Sequence, residues 1–510
     1  MFGSSFRQRR LAALLGAIVV TVLALIPASA GAAQRTVRYG GYAIDVPRSW
    51  PVYDLDADPS RCVRFDRHAV YLGAPGADQR CPAHAVGRTE AILVQPLDLE
   101  SGAQPGALTL GRRAVAPKSL PRSAPHEARL NLPGPGLTVT ATWRRSRPLV
   151  ERILRGARRT SSGRPIRHAS RQRAPRPAAP SQRASASGYR TGLGFDACSA
   201  PSTTTVAAWT ASPYRTIGVY IGGVNRACSQ TNLTSTWVAS VVTAGWSLIP
   251  TYVGVQAPGN SCGCAAIKPA QAAAQGAAAA DDAVTQAAAI GIGPGNPIYY
   301  DMEGYALGGS TSSAVLTFLG AWTTEIHARG YVSGVYGSAA STITDLAGQY
   351  GSGFAEPDDL WIARWNNQQS TTDPAVPATA WANHQRLHQY QGGHNERYGG
   401  VTINIDSDYI DGAVVGTASA PVVPVRRRCP RIVFSHRTRS AAMKIRTINL
   451  RCSTARKIAK ASRPRQFTAL EHRRVYSKRR FTCRGQTVGR AKVIYSCTHA
   501  TARVSFVRQG

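Results

Sequence analysis

The segment Pro297-Ile298-Tyr299-Tyr300-Asp301-Met302-Glu303-Gly304-Tyr305 decides the fold. An apolar and aromatic run leads straight into two carboxylates separated by one methionine, and a glycine ends it. A short continuous run of this kind is a strand covered on both faces, as in a parallel sheet. Side chains alternate along a strand, so Asp301 and Glu303 share one face and Met302 takes the other. Related runs recur on both sides of it. They predict strands at Leu193–Cys198, Ile217–Gly222, Leu248–Gly254, Pro297–Glu303, Tyr331–Gly337, Leu360–Trp365, Leu387–Gln391 and Ile403–Asp408. The Ala-rich stretch from Pro269 to Ile290 and the stretch from Ala314 to His327, stopped by Gly330, predict helices between strands three, four and five. Eight strands with helices between many of them predict an α/β domain, a (β/α)8 TIM-like barrel, over residues 191–417. An open doubly wound sheet has the same periodicity.

Barrel enzymes of this class build their sites at the C-terminal strand ends. Strand one ends Gly194-Phe195-Asp196, and strand eight carries Asn404-Ile405-Asp406-Ser407-Asp408. Closure of the barrel brings Asp196, Asp301, Glu303 and Asp406 onto one acidic patch. Four carboxyls that close do not all ionise cheaply, so one is expected to keep its proton, as a general acid for glycosidic cleavage must. The same groups serve as buried structural carboxyls if no ligand reaches them. Tyr252, Tyr300, Tyr336, Trp365 and Tyr390 fall near strand ends, where flat faces pack on pyranose rings, although aromatic residues also fill barrel cores. Gln389 and Asp408 are the further candidates for substrate contact.

Six segments in one order carry a resemblance across this module: GFDACSAPS, PIYYDMEGY, HARGYVSGVYGS, DDLWIARW, HQYQGGHNERYGG and VTINIDSDYID. Together they resemble the secreted actinobacterial glycoside-hydrolase-like domain of unknown function family 1906. More distantly they are similar to the family 25 lysozymes, with an opening Asp strand, an Asp-x-Glu strand, a Leu-Trp-Ile-Ala strand, a Gln-Tyr strand and a closing Asp strand. The resemblance implies a general-acid role for Glu303, with Asp301 as its partner and Asp196 and Asp406 in the first-strand and last-strand carboxylate positions. Where the lysozymes commonly have Asp-x-Asn after the last strand, this chain has Asp406-Ser407-Asp408.

The flanks differ sharply in charge. Residues 191–417 hold 7 Lys and Arg against 15 Asp and Glu, whereas residues 418–510 hold 24 against 1. Arg7, Arg9 and Arg10, the apolar stretch from Leu11 to about Pro27, and Ala28-Ser29-Ala30 have the order of a signal peptide over residues 1–33. Residues 34–143 read as a β-rich accessory domain in which Cys62 and Cys81 pair, and its RCVRFDRHAVYLG resembles a module of exported actinobacterial proteins. Residues 144–190, rich in Arg, Pro, Ala and Ser, read as an extended linker, and 418–428 as a second. Residues 429–510 read as a basic tail domain with four cysteines, a short helix at NLRCSTARKIAKA, and strands at FTCRG and YSCTH.

No phosphate loop, Ser/His/Asp signature or cysteine-nucleophile motif stands out, and no cofactor is expected. Cys262-Gly263-Cys264 lacks the usual zinc spacing, and with Cys198 and Cys228 it allows three disulfide pairings. His384, His388 and His394 are expected in loop contacts, and no metal site is expected. The expected protein is secreted or held in the cell wall, with no transmembrane segment after signal cleavage and no specific nucleic-acid partner. It either cleaves β-linked amino-sugar glycans such as peptidoglycan or binds them without turnover, while its basic segments hold anionic wall polymers. A cationic adhesion or nucleic-acid-binding protein that works through its tail, with the barrel as a scaffold, is the third alternative, and steep salt dependence of polyanion binding by the tail would support it.

Overall fold

The structure, a computed structural model, describes residues 33–97, 107–120, 126–160 and 188–416, together with most of the segments between 426 and 509. The expected signal peptide and most of the two linkers lie outside the described residues. Among the described residues no helix is long and apolar enough to cross a membrane.

The central domain is a closed eight-stranded barrel: β1 (Gly188–Asp196), β2 (Thr216–Gly222), β3 (Ser247–Tyr252), β4 (Pro297–Met302), β5 (Val332–Ser338), β6 (Asp359–Ala363), β7 (Arg386–Tyr398) and β8 (Val401–Val414). Each predicted strand is present. Five connections carry helices: α1 (Thr203–Ala208), α2 (Ser235–Thr243), α3 (Ala272–Ala289), α4 (Gly309–Ala328) and α5 (Thr342–Gly348). Strands β1 to β7 pair in parallel, but β8 runs antiparallel to both β7 and β1. Closure therefore departs from a uniform (β/α)8 repeat, because β7 and β8 form a hairpin rather than a crossover. Its turn is Gly399-Gly400, both at positive φ, and a Cβ on Gly399 would lie 2.3 Å from the carbonyl oxygen of Ala208. Antiparallel strands need only such a tight turn, so no helix intervenes.

The main core lies between the barrel wall and its helices, around Trp209, Trp246, Phe318 and Trp322. A second, smaller cluster fills the barrel interior with Ile249, Tyr299, Tyr336, Trp361, Leu387 and Ile410.

The accessory domain is β-rich, with a six-stranded sheet and a three-stranded one. Residues Arg147–Arg155, read from composition as linker, instead form a helix capped by Ser146. It buries Val150, Ile153 and Leu154 in the domain's core. Arg158 and Arg159 then add a short strand beside Tyr42–Pro47. The arginine count hid three apolar residues at helical spacing. The domain packs on the barrel, and the two form one compact unit. Val86 pairs with Arg226 and Arg64 with Cys228 in isolated bridges.

Among the described residues the tail unit has seven strands and the helix Cys452–Lys460, which buries Ala455, Ile458 and Ala459. Disulfides join Cys62–Cys81, Cys198–Cys228, Cys262–Cys264, Cys429–Cys452 and Cys483–Cys497.

Candidate active site at the barrel mouth

The antiparallel register of β8 sets the geometry. Asp406 lies opposite Asp196 at the mouth, and Asp408 lies opposite Gly194, one layer deeper. Asp196, Asp406 and Asp408 are each at most 1% exposed. Asp301, from the end of β4, is equally buried, whereas the Glu303 side chain is 26% exposed and reaches the opening. Gln256, in the loop after β3, fixes that strand end. Its amide donates to the carbonyl of Asp301 at 2.9 Å, and its Oε1 accepts from the backbone nitrogen of Glu303 at 2.7 Å.

Gln389 on β7 links the rest. Its Nε2 donates to Asp196 Oδ2 at 2.9 Å and to Asp406 Oδ2 at 3.3 Å. Its Oε1 accepts from the Tyr336 hydroxyl at 2.9 Å and from the indole of Trp365 at 3.0 Å. Two donors and two acceptors satisfy the amide and define its orientation. Trp365 is 66% exposed and lies against Gly392, where any Cβ would stand 2.8 Å from the indole.

The site has a component from outside the barrel. His84, in the accessory domain, places Nε2 2.8 Å from Glu303 Oε1 and Nδ1 3.1 Å from the Tyr220 hydroxyl. That hydroxyl, on β2, donates to Asp196 Oδ1 at 2.8 Å. Neither His84 nor Tyr220 was among the residues picked from sequence. Tyr220 alternates correctly with the inward positions of its strand, which is a usable signal, but nothing local marks a histidine in another domain.

The protonation pattern follows from burial and charge. Burial pushes Asp196 and Asp408 up, Asp408 well up, and drives Asp406 to about 8 with the help of Asp196. Asp301 is pushed well up by burial and then by the neighbouring Glu303. Burial works the same way on Glu303, but the charge and hydrogen bond of His84 outweigh it and hold that carboxyl below its usual range. His84 is raised to about 10, because Glu303, Asp301 and Asp406 overcome the burial that disfavours its charge. The resting mouth thus holds an imidazolium on an ionised Glu303, with the proton of the Asp-x-Glu pair on Asp301. Asp301 Oδ1, Asp406 Oδ1 and Asp408 Oδ2 find no donor among the described residues.

Other sequence-selected residues lie elsewhere. Tyr252 and Tyr300 pack outside the barrel wall against Trp322, and their hydroxyls donate to Asp282 and to the Val255 carbonyl. Tyr390 alternates with Gln389 and takes the outer face, near His388. Asp408 lies beneath the mouth, where it accepts from the Trp361 indole at 2.9 Å. His384, His388 and His394 make separate contacts, with Asp411, with the Ser370 and Arg364 carbonyls, and with Glu396. The geometry that a cation would use, His84 with Asp301 and Glu303 or with Asp196 and Asp406, is the same cluster.

Residues 207–410 match the family described as Rv2525c-like, glycoside hydrolase-like domain. The barrel resembles an uncharacterized B. stearothermophilus protein, at 16% identity over 43% of this chain and 95% of that one, with a TM-score of 0.30. It resembles the Mycobacterium tuberculosis Tat-secreted protein Rv2525c at 18% identity, over 43% and 96% of the two chains, with a TM-score of 0.31. The Clostridium perfringens spore cortex lytic enzyme SleM aligns at 10% identity over 63% and 98%, with a TM-score of 0.33. Among curated proteins, none matches the chain.

Proposed function

We propose that the protein is a secreted, wall-associated hydrolase that cleaves β-linked amino-sugar glycans, peptidoglycan being the natural substrate. One observation carries this reading: Asp301 and Glu303 stand side by side at the strand end, burial pushing the first carboxyl up and His84 holding the second down, with Glu303 at the opening. Glycosidic cleavage needs a proton delivered to the leaving oxygen and a carboxylate to stabilise or activate at the anomeric carbon. In this reading the proton held on Asp301 passes to Glu303 and from it to the leaving oxygen, which leaves the Asp301–Glu303 pair one proton poorer, while Asp196 and Asp406, held together by Gln389, are the carboxyls available on the other side of the sugar. Trp365 offers the ring platform. The basic tail and arginine-rich segment hold the protein on anionic wall polymers, and no cofactor enters the scheme.

The test is release of reducing ends from purified peptidoglycan by wild type and by Glu303→Gln at matched folding. Release that falls about 10³-fold in the variant supports the proposal, within the range for a lost acid. A second reading, a glycan-binding barrel without turnover, draws on the ion pair that already engages Glu303 Oε1. Glycan retained by the full-length protein with no reducing ends from either form establishes that reading instead.

A further inference from the structure

His84 connects two carboxyl groups that the barrel by itself keeps apart. On one side stand Asp301 and Glu303. On the other, Asp196 and Asp406 share Gln389. The side-chain path between them runs from Glu303 through both nitrogens of His84 to the Tyr220 hydroxyl and on to Asp196.

The histidine is held rigidly where it makes this bridge. Three residues before it, Cys81 is tied to Cys62. The backbone nitrogen of Ala83 donates to Asn404 Oδ1 of β8 at 2.6 Å. Three residues after it, Gly87 donates to the Asn225 carbonyl at 2.8 Å, and Val86 bridges to Arg226. Further along, the Arg88 guanidinium donates to the Arg226 carbonyl at 3.0 Å and pairs with Glu127. Backbone pairing and a buried ion pair are poor features for a lid that must lift. The His84 side chain is 26% exposed, the same as Glu303, so both line the opening.

We propose that the accessory domain completes the active site by supplying His84 as a positioning residue. It orients Glu303 and couples the protonation of the Asp301–Glu303 pair to that of Asp196 and Asp406. The groups that face the imidazole are Glu303, Asp301, Asp406 and Asp196, the Tyr220 hydroxyl, and the Tyr336 ring at 6.5 Å. The domain is thus part of the catalytic unit rather than an appended wall anchor. The kinetic half of this inference rests on the hydrolase reading, whereas the titration half stands without it.

The experiment uses the full-length chain with isotopically labelled histidine, and His84→Gln assigns the His84 signal among the 11 histidines. Glutamine keeps hydrogen-bonding capacity and removes the charge. The imidazole should remain protonated past pH 8 in wild type, and its midpoint should fall by about one unit or more in Glu303→Gln, as expected on loss of a neighbouring charge. A midpoint near the ordinary ~6.5 in both proteins overturns the coupling. In the activity arm, His84→Gln should lower reducing-end release about 10²-fold and displace the pH profile. A profile that superimposes on wild type overturns the positioning role. If wild type releases no reducing ends, the hydrolase reading fails on its own, and the midpoints in wild type and Glu303→Gln still decide the coupling.

Discussion

Two buried acidic sites in the same compact unit meet opposite fates. At the seam between accessory domain and barrel, Glu127 lies 2.7 Å from the Arg88 guanidinium and 2.8 Å from that of Arg129. Burial works against its charge, yet Arg88, Arg129 and Arg226 hold the carboxyl well below the usual range. At the barrel mouth, Asp301, Asp406 and Asp408 are buried more deeply than Glu127, and they are driven upward instead. There the cation is one histidine, and it is engaged by Glu303. Burial alone therefore does not separate a structural carboxyl from a reactive one. The number and placement of neighbouring cations does. A carboxylate pinned by guanidinium groups stays charged beside the domain seam, whereas carboxyls left short of positive charge are pushed towards the protonated form.

The largest effect on stability is expected at the seam. Glu127→Gln removes the negative charge while leaving the buried Arg88 and its neighbours in place. Loss of one partner of a buried pair costs about 3–5 kcal/mol. Chemical unfolding of the full-length variant should show a midpoint lowered accordingly for the unit that holds the accessory domain and barrel. A change below about 1 kcal/mol would mean that water already screens these arginines, as at a surface pair, and the contrast between the two sites would collapse.

The pH dependence of stability sharpens the same contrast, because the two sites have opposite signs. Glu127 is depressed, as is Glu90, which burial opposes but the backbone amide of Ser146 and neighbouring donors bring to about 2. Such groups stabilise above about pH 4.5, and that contribution is lost as pH falls through their folded-state values. Asp406 is raised to about 8, so its contribution is complete below about pH 4 and is lost as pH rises through 8. The wild-type melting temperature should therefore decline from about pH 5 towards pH 8 more steeply than that of Asp406→Asn. Asparagine can still accept the bond from Gln389. Parallel curves for the two proteins would show that Asp406 is already ionised in the folded state.

How much of this was legible in the sequence depends on the distance over which each feature is encoded. The strand series was readable because each strand carries its own apolar run, as in Pro297–Met302. Asp196, Asp301, Glu303 and Asp406 were readable because alternation and strand-end position are local rules. The antiparallel direction of β8 was less so, since the glycine pair at 399–400 signals a turn but not which strands it joins. Tyr252 and Tyr300 were misplaced because strand-end proximity does not say which side of the wall an aromatic faces, and both pack towards α3 and α4. His84 was out of reach. Its role depends on contacts with Tyr220 and Glu303, 136 and 219 residues away, made across a domain seam. Charge counting failed at Arg147–Arg155 for the opposite reason, since a local helical pattern was masked by the composition of its surroundings.

The smallest expected effect is the most discriminating for the mouth itself. Asp408 stands beneath the other carboxyls, fully buried, with one oxygen accepting from Trp361 and the other without a donor. Burial, then the charge of Asp196, pushes it well up, which favours the neutral acid in the folded protein. Asp408→Asn replaces that neutral acid with a neutral amide of the same shape. The amide oxygen can keep the indole bond, and the amide nitrogen can donate to Asp196 where the acid's proton did. Because no charge is removed from the folded state, stability near neutral pH should change by less than about 1 kcal/mol, well short of the cost of removing a partner from a buried ion pair. Unfolding of wild type and variant in parallel at pH 7 makes the comparison. A loss as large as that at Glu127 would mean that Asp408 is charged in the native barrel. Its lack of a second donor would then mark a buried anion, and the division between pinned and proton-holding carboxyls would no longer follow the cations around them.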